Sequence, residues 1–109
     1  PAGPVVHIEP SGDIVNIGDT FNLRCVFSSG QTGTPTYRWY RAEDGSLPAT
    51  AQVYDDKLRI VNVQMTDSGV YKCRVDTAEG SFEQNYNLIV QGKFTSLIIL
   101  FILISTRYH

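Results

Sequence analysis

The segment DSGVYKC at residues 67–73 constrains the fold of this chain more than any other stretch. It follows a strand-like pattern in which Leu58 and Ile60 alternate as one buried face. Tyr71 and Cys73 are also two residues apart, so they share the inward face of the next strand. The segment therefore predicts a turn that joins two half-buried strands.

Two residues of this turn have structural interpretations. A short acidic side chain such as Asp67 accepts backbone N–H bonds in turns. Gly69 is expected at a point where a side chain would crowd the corner. We therefore interpret both residues as parts of the fold and assign neither of them a role in chemistry.

Cys25 and Trp39 lie upstream, and their combination with this segment resembles the immunoglobulin fold over roughly residues 4–91. The resemblance implies two packed sheets joined by a Cys25–Cys73 disulfide, with Trp39 packed on the bridge. It also implies that Tyr71 forms a tyrosine corner two residues before the second cysteine. A disulfide implies an oxidising compartment, whereas two buried free thiols, as in similar modules inside muscle cells, remain the alternative.

Period-two alternation along the chain predicts about seven to nine short strands and no helix, hence an all-β antiparallel sandwich. The resemblance implies that this sandwich has Greek-key connections. We expect Tyr37–Arg41 to be the central strand, with Tyr37 and Trp39 buried. We expect Ser81–Val90 to be the last strand, with Tyr86, Leu88 and Val90 facing inward.

The composition excludes several classes of function. Nine Lys and Arg against eleven Asp and Glu give a formal net charge of −2 without a basic run. Neither nucleic acid nor an anionic membrane is therefore an expected partner, although separate strands could still assemble a basic patch. The two cysteines match no zinc or redox spacing, so no metal and no cofactor is expected.

No set of catalytic residues stands out, and the chain is not expected to be an enzyme. A serine–histidine–aspartate arrangement needs a base beside a positioned nucleophile. Of the two histidines, His7 lies on a predicted edge strand and His109 at the chain end. Turn chemistry explains the acidic pairs Glu43–Asp44 and Asp55–Asp56 better than calcium binding, which needs about six converging oxygens.

Two hypotheses concern ligands at the surface. Tyr40 and Phe82 are expected at outward positions, and Arg38 and Arg41 flank Tyr40. These four form a candidate protein-binding face because Tyr and Arg often carry interface energy, although scattered exposed aromatics are also normal. Ser11, in an acidic Ser-Gly-Asp context, is a candidate for glycosaminoglycan attachment, and an ordinary edge-strand turn is the alternative.

Both ends of the chain lie outside the predicted sandwich. Residues 1–3 are linker-like, and residues 92–109 form an apolar tail. Its run Leu97–Ile104 would be about 12 Å long as a helix, too short for a hydrocarbon core of about 30 Å. A misjoined gene end, a truncated membrane anchor and a partner-binding tail are the open interpretations. The start at Pro1 without a signal peptide indicates a fragment or a processed module.

The run Trp39–Pro48, WYRAEDGSLP, supplies a closer resemblance. It is similar to a stretch in the tandem immunoglobulin repeats of perlecan, the basement-membrane heparan sulfate proteoglycan, and the short chain resembles the intermediate (I) set. Membership implies a secreted extracellular-matrix module that acts as a spacer and docks other extracellular proteins or neighbouring modules. The alternatives are a membrane-proximal module of a cell-surface adhesion protein or receptor, and an intracellular muscle filament module with reduced cysteines.

Overall fold

The structure, a computed structural model, describes residues 3–30 and 33–92 of the 109-residue chain. Within them, apolar and polar side chains alternate along nine strands, and one 3₁₀ helix occupies Met65–Asp67. The strands are β1 (Val5–Pro10), β2 (Val15–Asn16), β3 (Phe21–Ser28), β4 (Thr36–Arg41), β5 (Ala51–Tyr54), β6 (Lys57–Ile60), β7 (Gly69–Thr77), β8 (Gly80–Leu88) and β9 (Val90–Gln91). No helix in this part of the chain is long and apolar enough to cross a membrane. Residues 93–109 of the expected apolar tail lie outside the described residues.

The strands form two packed sheets, and the prediction of an all-β antiparallel sandwich is confirmed. The four-stranded sheet has the order β1-β3-β6-β5, and the three-stranded sheet has the order β4-β7-β8. All neighbours within these two sheets are antiparallel, whereas β2 and β9 pair in parallel. The buried apolar side chains are Val6, Val15, Phe21, Leu23, Cys25, Trp39, Leu58, Ile60, Val63, Tyr71, Cys73, Val75, Leu88 and Val90.

A disulfide between Cys25 of β3 and Cys73 of β7 links the two sheets, with the two Cα atoms 6.3 Å apart. Trp39 of β4 lies directly opposite Cys73 in the register of the two strands. Only 4% of Trp39 is exposed, and it belongs to the same buried cluster as both cysteines. The inter-sheet bridge implied by the resemblance is therefore confirmed.

Hydrogen bonds hold the corner that leads into β7. The Gln64 N–H donates to Asp67 Oδ2 at 2.8 Å, and the Tyr71 hydroxyl donates to the Asp67 carbonyl oxygen at 2.7 Å. The reason predicted for Gly69 is wrong, because no heavy atom outside its chain neighbours lies within 4 Å of an added Cβ. Glycine suits this position because its φ is +148°, a backbone conformation that residues with side chains rarely adopt.

Two strand predictions need correction. The strand containing Tyr37–Arg41 is an edge: within the described residues β4 pairs only with β7, because the chain then crosses to the other sheet, where β5 pairs with β6. The last strand is divided, since β8 ends at Leu88, Ile89 is 65% exposed and β9 begins at Val90. The division allows β9 to leave β7 and pair with β2.

Candidate functional site

The outer side of the three-stranded sheet follows from the alternation in β7. Tyr71, Cys73 and Val75 point into the core and are 0% exposed, so the residues between them point outward. We call this surface the outer β4–β7–β8 face. By register, its polar members are Thr36, Arg38, Tyr40, Lys72, Arg74, Asp76, Ser81, Glu83, Asn85 and Asn87.

Ion pairs and hydrogen bonds connect β7 with β8 across this face. Lys72 Nζ lies 3.1 Å from Glu83 Oε2, and Arg74 Nε donates to Asp76 Oδ1 at 3.0 Å. Arg74 Nη2 also donates to Ser81 Oγ at 3.1 Å, and the Ser81 hydroxyl donates to Asp76 Oδ1. The cations of β7 on this surface therefore have carboxylate partners.

The network changes the protonation equilibria of two of its members. The Ser81 hydroxyl, and after it the Arg74 guanidinium, lowers the pKa of the Asp76 carboxyl below its ordinary value of 3.8. The hydrogen bond to Asp76 raises the pKa of Arg74. Both groups therefore stay ionised at neutral pH, and the face holds a fixed pattern of charge.

Arg38 and Tyr40 form the part of this face that lies on the edge strand β4. The Arg38 guanidinium carbon lies 5.9 Å from the centroid of the Tyr40 ring, which is cation–π geometry. Tyr40 is directly opposite Lys72, and Arg38 is opposite Arg74. Tyr40 is half-buried and Arg38 is exposed, so the pair presents an aromatic ring and a planar cation together.

The other two residues of the predicted binding face point the other way. Phe82 lies opposite the buried Val75, and its ring centroid is 5.7 Å from that of Phe27. The Arg41 side chain is only 21% exposed, and its Nη1 donates to the Thr66 carbonyl oxygen at 3.1 Å. The outward placement predicted for Phe82 is therefore wrong. Arg41 does not belong to the candidate binding face either, because strand alternation puts both residues on the side of Val75 and Trp39.

The sequence interpretation missed Lys72, Arg74 and Glu83 as members of the same surface. A signal was available for the two cations, because each falls between inward residues of the strong Tyr71–Val75 alternation. The pairing of Lys72 with Glu83 of β8 had no such signal, since it depends on the β7–β8 register, whereas the carboxylate partner of Arg74 is Asp76 on the same strand.

The candidate attachment residue Ser11 lies next to the end of β1, which is a strand of the other sheet. Its Oγ accepts the Asn22 N–H at 3.0 Å, and its own N–H donates to the Asn22 carbonyl oxygen at 2.9 Å. These bonds fix an exposed turn, which is the alternative interpretation of that residue. Nearby on β1, His7 Nε2 lies 3.0 Å from Glu9 Oε1 on an exposed edge.

The two acidic pairs lie in turns. Asp44 Oδ1 accepts the Ser46 N–H at 3.0 Å and the Ser46 hydroxyl at 2.8 Å, and these bonds lower the pKa of Asp44. Asp55, with φ of 53°, and Asp56 connect β5 to β6 in a two-residue turn. Within residues 3–30 and 33–92, no group of three or more His, Cys, Asp or Glu side chains is placed to hold a metal ion.

Comparison with known proteins places these features in context. Residues 3–76 match a family model described as an immunoglobulin domain. The chain is 34% identical over 87 residues to cell adhesion molecule 4 of Xenopus laevis, covering 80% of this chain. It is also 34% identical over 95 residues to the mouse basement membrane-specific heparan sulfate proteoglycan core protein, covering 87% of this chain.

The chain corresponds to a small part of each of these relatives, 22% of the adhesion molecule and 2% of the proteoglycan core protein. Among solved structures, the full ectodomain of mouse nectin-like molecule 4 superposes with a TM-score of 0.76 at 28% sequence identity. That superposition covers 83% of this chain and 31% of the ectodomain.

Proposed function

Because the chain belongs to the immunoglobulin domain family, we propose that it is a non-enzymatic module that binds another protein through the outer β4–β7–β8 face. The observation that carries this proposal is the Arg38–Tyr40 pair on the edge strand, with the two side chains in cation–π contact. Tyr and Arg are enriched among the residues that dominate interface energies. The disulfide and the charge network hold the face in place before binding, which lowers the ordering cost of association.

The expected partner is another immunoglobulin module, and a second copy of this chain is the probe of choice. The face carries Arg38 on the β4 side and Glu83 on the β8 side. Two copies related by a two-fold axis can place the β4 side of one against the β8 side of the other. Arg38 of each copy then meets Glu83 of the other copy, and these two contacts favour that orientation.

The setting that the proposal favours is a cell-surface adhesion protein. Two cell adhesion molecules match at 34% and 32% identity, and the ectodomain with a TM-score of 0.76 is that of a nectin-like molecule. The Cys25–Cys73 bridge supports an oxidising, extracellular compartment and speaks against the intracellular filament alternative.

A spacer and docking module of a matrix proteoglycan is the second candidate. Its support is the proteoglycan match, which extends over 87% of this chain, together with the run Trp39–Pro48. The full reading frame of the gene separates the two settings. An uninterrupted apolar run of about 18 or more residues downstream would favour the surface protein, and further modules with the same cysteine–tryptophan–cysteine pattern would favour the matrix protein.

Bead aggregation tests the proposed face. Fluorescent beads coated with the chain are expected to aggregate, and Tyr40→Ala or Arg38→Ala should weaken the association about tenfold because each removes one of the two side chains that carry the proposed contact. Tyr54→Ala is the matched control, since Tyr54 is 60% exposed on the opposite sheet. Failure of the unmodified chain to aggregate, or equal loss in all three variants, would contradict binding through this face.

A further inference from the structure

The outer side of the four-stranded sheet carries a row of basic side chains that are not consecutive in the sequence. In β6, Leu58 and Ile60 are 0% exposed, so Lys57 and Arg59 point to solvent. Arg24 of β3 lies directly opposite Lys57. The fold thus brings Arg24 beside Lys57 and close to Arg59, although both are distant from it in the chain.

The cations of this row differ in how far they are neutralised. Arg24 Nε contacts Asp56 Oδ2 at 3.4 Å. Lys57 and Arg59 make no ion pair with any carboxylate in the described part of the chain. Like charges directly opposite each other across a sheet are destabilising, so the Arg24–Lys57 arrangement is one that folding alone does not favour.

On the neighbouring strands, neutral polar side chains and an aromatic ring lie beside the two unpaired cations. By register, Arg59 lies between Asn22 of β3 and Gln52 of β5, and Tyr54 of β5 lies opposite Lys57. The Tyr54 hydroxyl donates to Gln52 Oε1 at 3.4 Å, so both side chains lie on this same surface. Cations, carboxamides and an exposed ring can together contact anionic groups, hydroxyl groups and the apolar face of a sugar ring.

We propose that this face binds a sulfated polysaccharide chain that lies along β6, with Lys57 and Arg59 contacting successive anionic groups. The two side chains leave the same face of one strand about 7 Å apart, which suits a linear ligand. Glu9 lies opposite Arg24, and Asp56 is paired with Arg24, so these carboxylates neutralise the β1 side of the row and leave Lys57 and Arg59 as its unpaired cations. The net charge of −2 gives no attraction to a broad anionic surface such as a bilayer.

Chromatography on immobilised heparin tests this proposal, with a sulfopropyl resin as the comparison. The chain should elute from heparin at a higher NaCl concentration than from the sulfopropyl resin. The Lys57→Ala/Arg59→Ala double variant should lose about tenfold in heparin affinity, measured by titration at constant salt. The matched control is Lys72→Ala/Arg74→Ala, which removes the same charge from the other sheet and should keep heparin binding.

Three outcomes would overturn the proposal. Equal elution from the two resins would indicate simple ion exchange, and equal loss of affinity in both double variants would indicate an effect of net charge. Displacement by a single-stranded oligonucleotide at the same charge concentration as heparin would assign the row to polyanions in general. Circular dichroism melts of both variants exclude unfolding as the cause, because all four substituted side chains point away from the core.

Discussion

The two sides of β7 differ in environment, because alternate residues of the strand face the core and the solvent. On the inner side, Tyr71, Cys73 and Val75 are 0% exposed and join the two sheets into one core. On the outer side, Lys72 and Arg74 are paired with carboxylates in contact with water. Burial makes each inner contact expensive to lose, whereas solvent screens the outer ones. Stability is therefore concentrated on one side of the strand, and the other side is free to carry recognition.

The largest effect is expected beside the disulfide. Trp39→Ala removes a buried indole opposite Cys73 and should lower the free energy of unfolding by about 3–5 kcal/mol. Urea titration followed by circular dichroism measures it, because Trp39 is the only tryptophan and its own fluorescence is lost. A denaturation midpoint that coincides with that of the unmodified chain would show that the inner side is not the source of stability.

Loss of the bridge should have a similar but slightly smaller effect. Cys73→Ala is expected to lower the free energy of unfolding by about 2–5 kcal/mol, because the unfolded chain regains the freedom of a long loop. Cys25→Ala should cost about the same, and the double variant little more than either, since each removes the same bond. Additive losses in the double variant would mean that the two side chains stabilise the fold by packing alone.

Tyr71→Phe tests the inner side of β7 by removing a single hydroxyl group. Removing the bond to the Asp67 carbonyl should cost about 1 kcal/mol at neutral pH. Burial raises the pKa of Tyr71 from 10.0 to about 12, so the unfolded chain loses this proton before the folded chain does. The stability contributed by the neutral hydroxyl is therefore present below pH 10 and is lost as the pH rises toward 12. Chemical unfolding across that range should show a smaller alkaline loss in the variant, and parallel curves would contradict the assignment.

The smallest effect is expected for Asp76→Asn on the outer side. Ser81 and Arg74 lower the pKa of the Asp76 carboxyl, so its contribution is present above the ordinary value of 3.8 and is lost as the pH falls below it. The variant should show a weaker decline of the melting temperature between pH 5 and pH 2, on the order of a few degrees or less given solvent screening. A loss at pH 7 as large as that of Tyr71→Phe would erase the contrast between the two sides.

The sequence predicts contacts between residues that are close in the chain better than contacts between distant ones. The inner side of β7 was predictable because Tyr71 and Cys73 alternate within a few residues of each other and both are of types that bury well. Arg41 is included in the predicted binding face because it flanks Tyr40, yet strand alternation turns it inward and its long stem lets the guanidinium reach the Thr66 carbonyl.

Features that depend on which strands become neighbours could not be predicted from the sequence. The edge position of β4 follows from the crossing of the chain to β5, and nothing within residues 37–41 encodes it. The contrast between the paired Lys72 and the unpaired Lys57 likewise rests on residues distant along the chain, such as Glu83. Charge in a sequence can be counted, but its neutralisation is a property of the fold.

The parallel pairing of β2 with β9 has a mechanical consequence. Val15 lies opposite Val90, and the Ile17 N–H donates to the Gln91 carbonyl oxygen at 2.9 Å. A stretching force that pulls β2 toward the start of the chain and β9 toward its end acts along the two strands in opposite directions. It loads the bonds between them in shear, so they resist together rather than opening one after another as in a zipper. A force applied between β2 and β9 is therefore borne by this pair of strands as a unit.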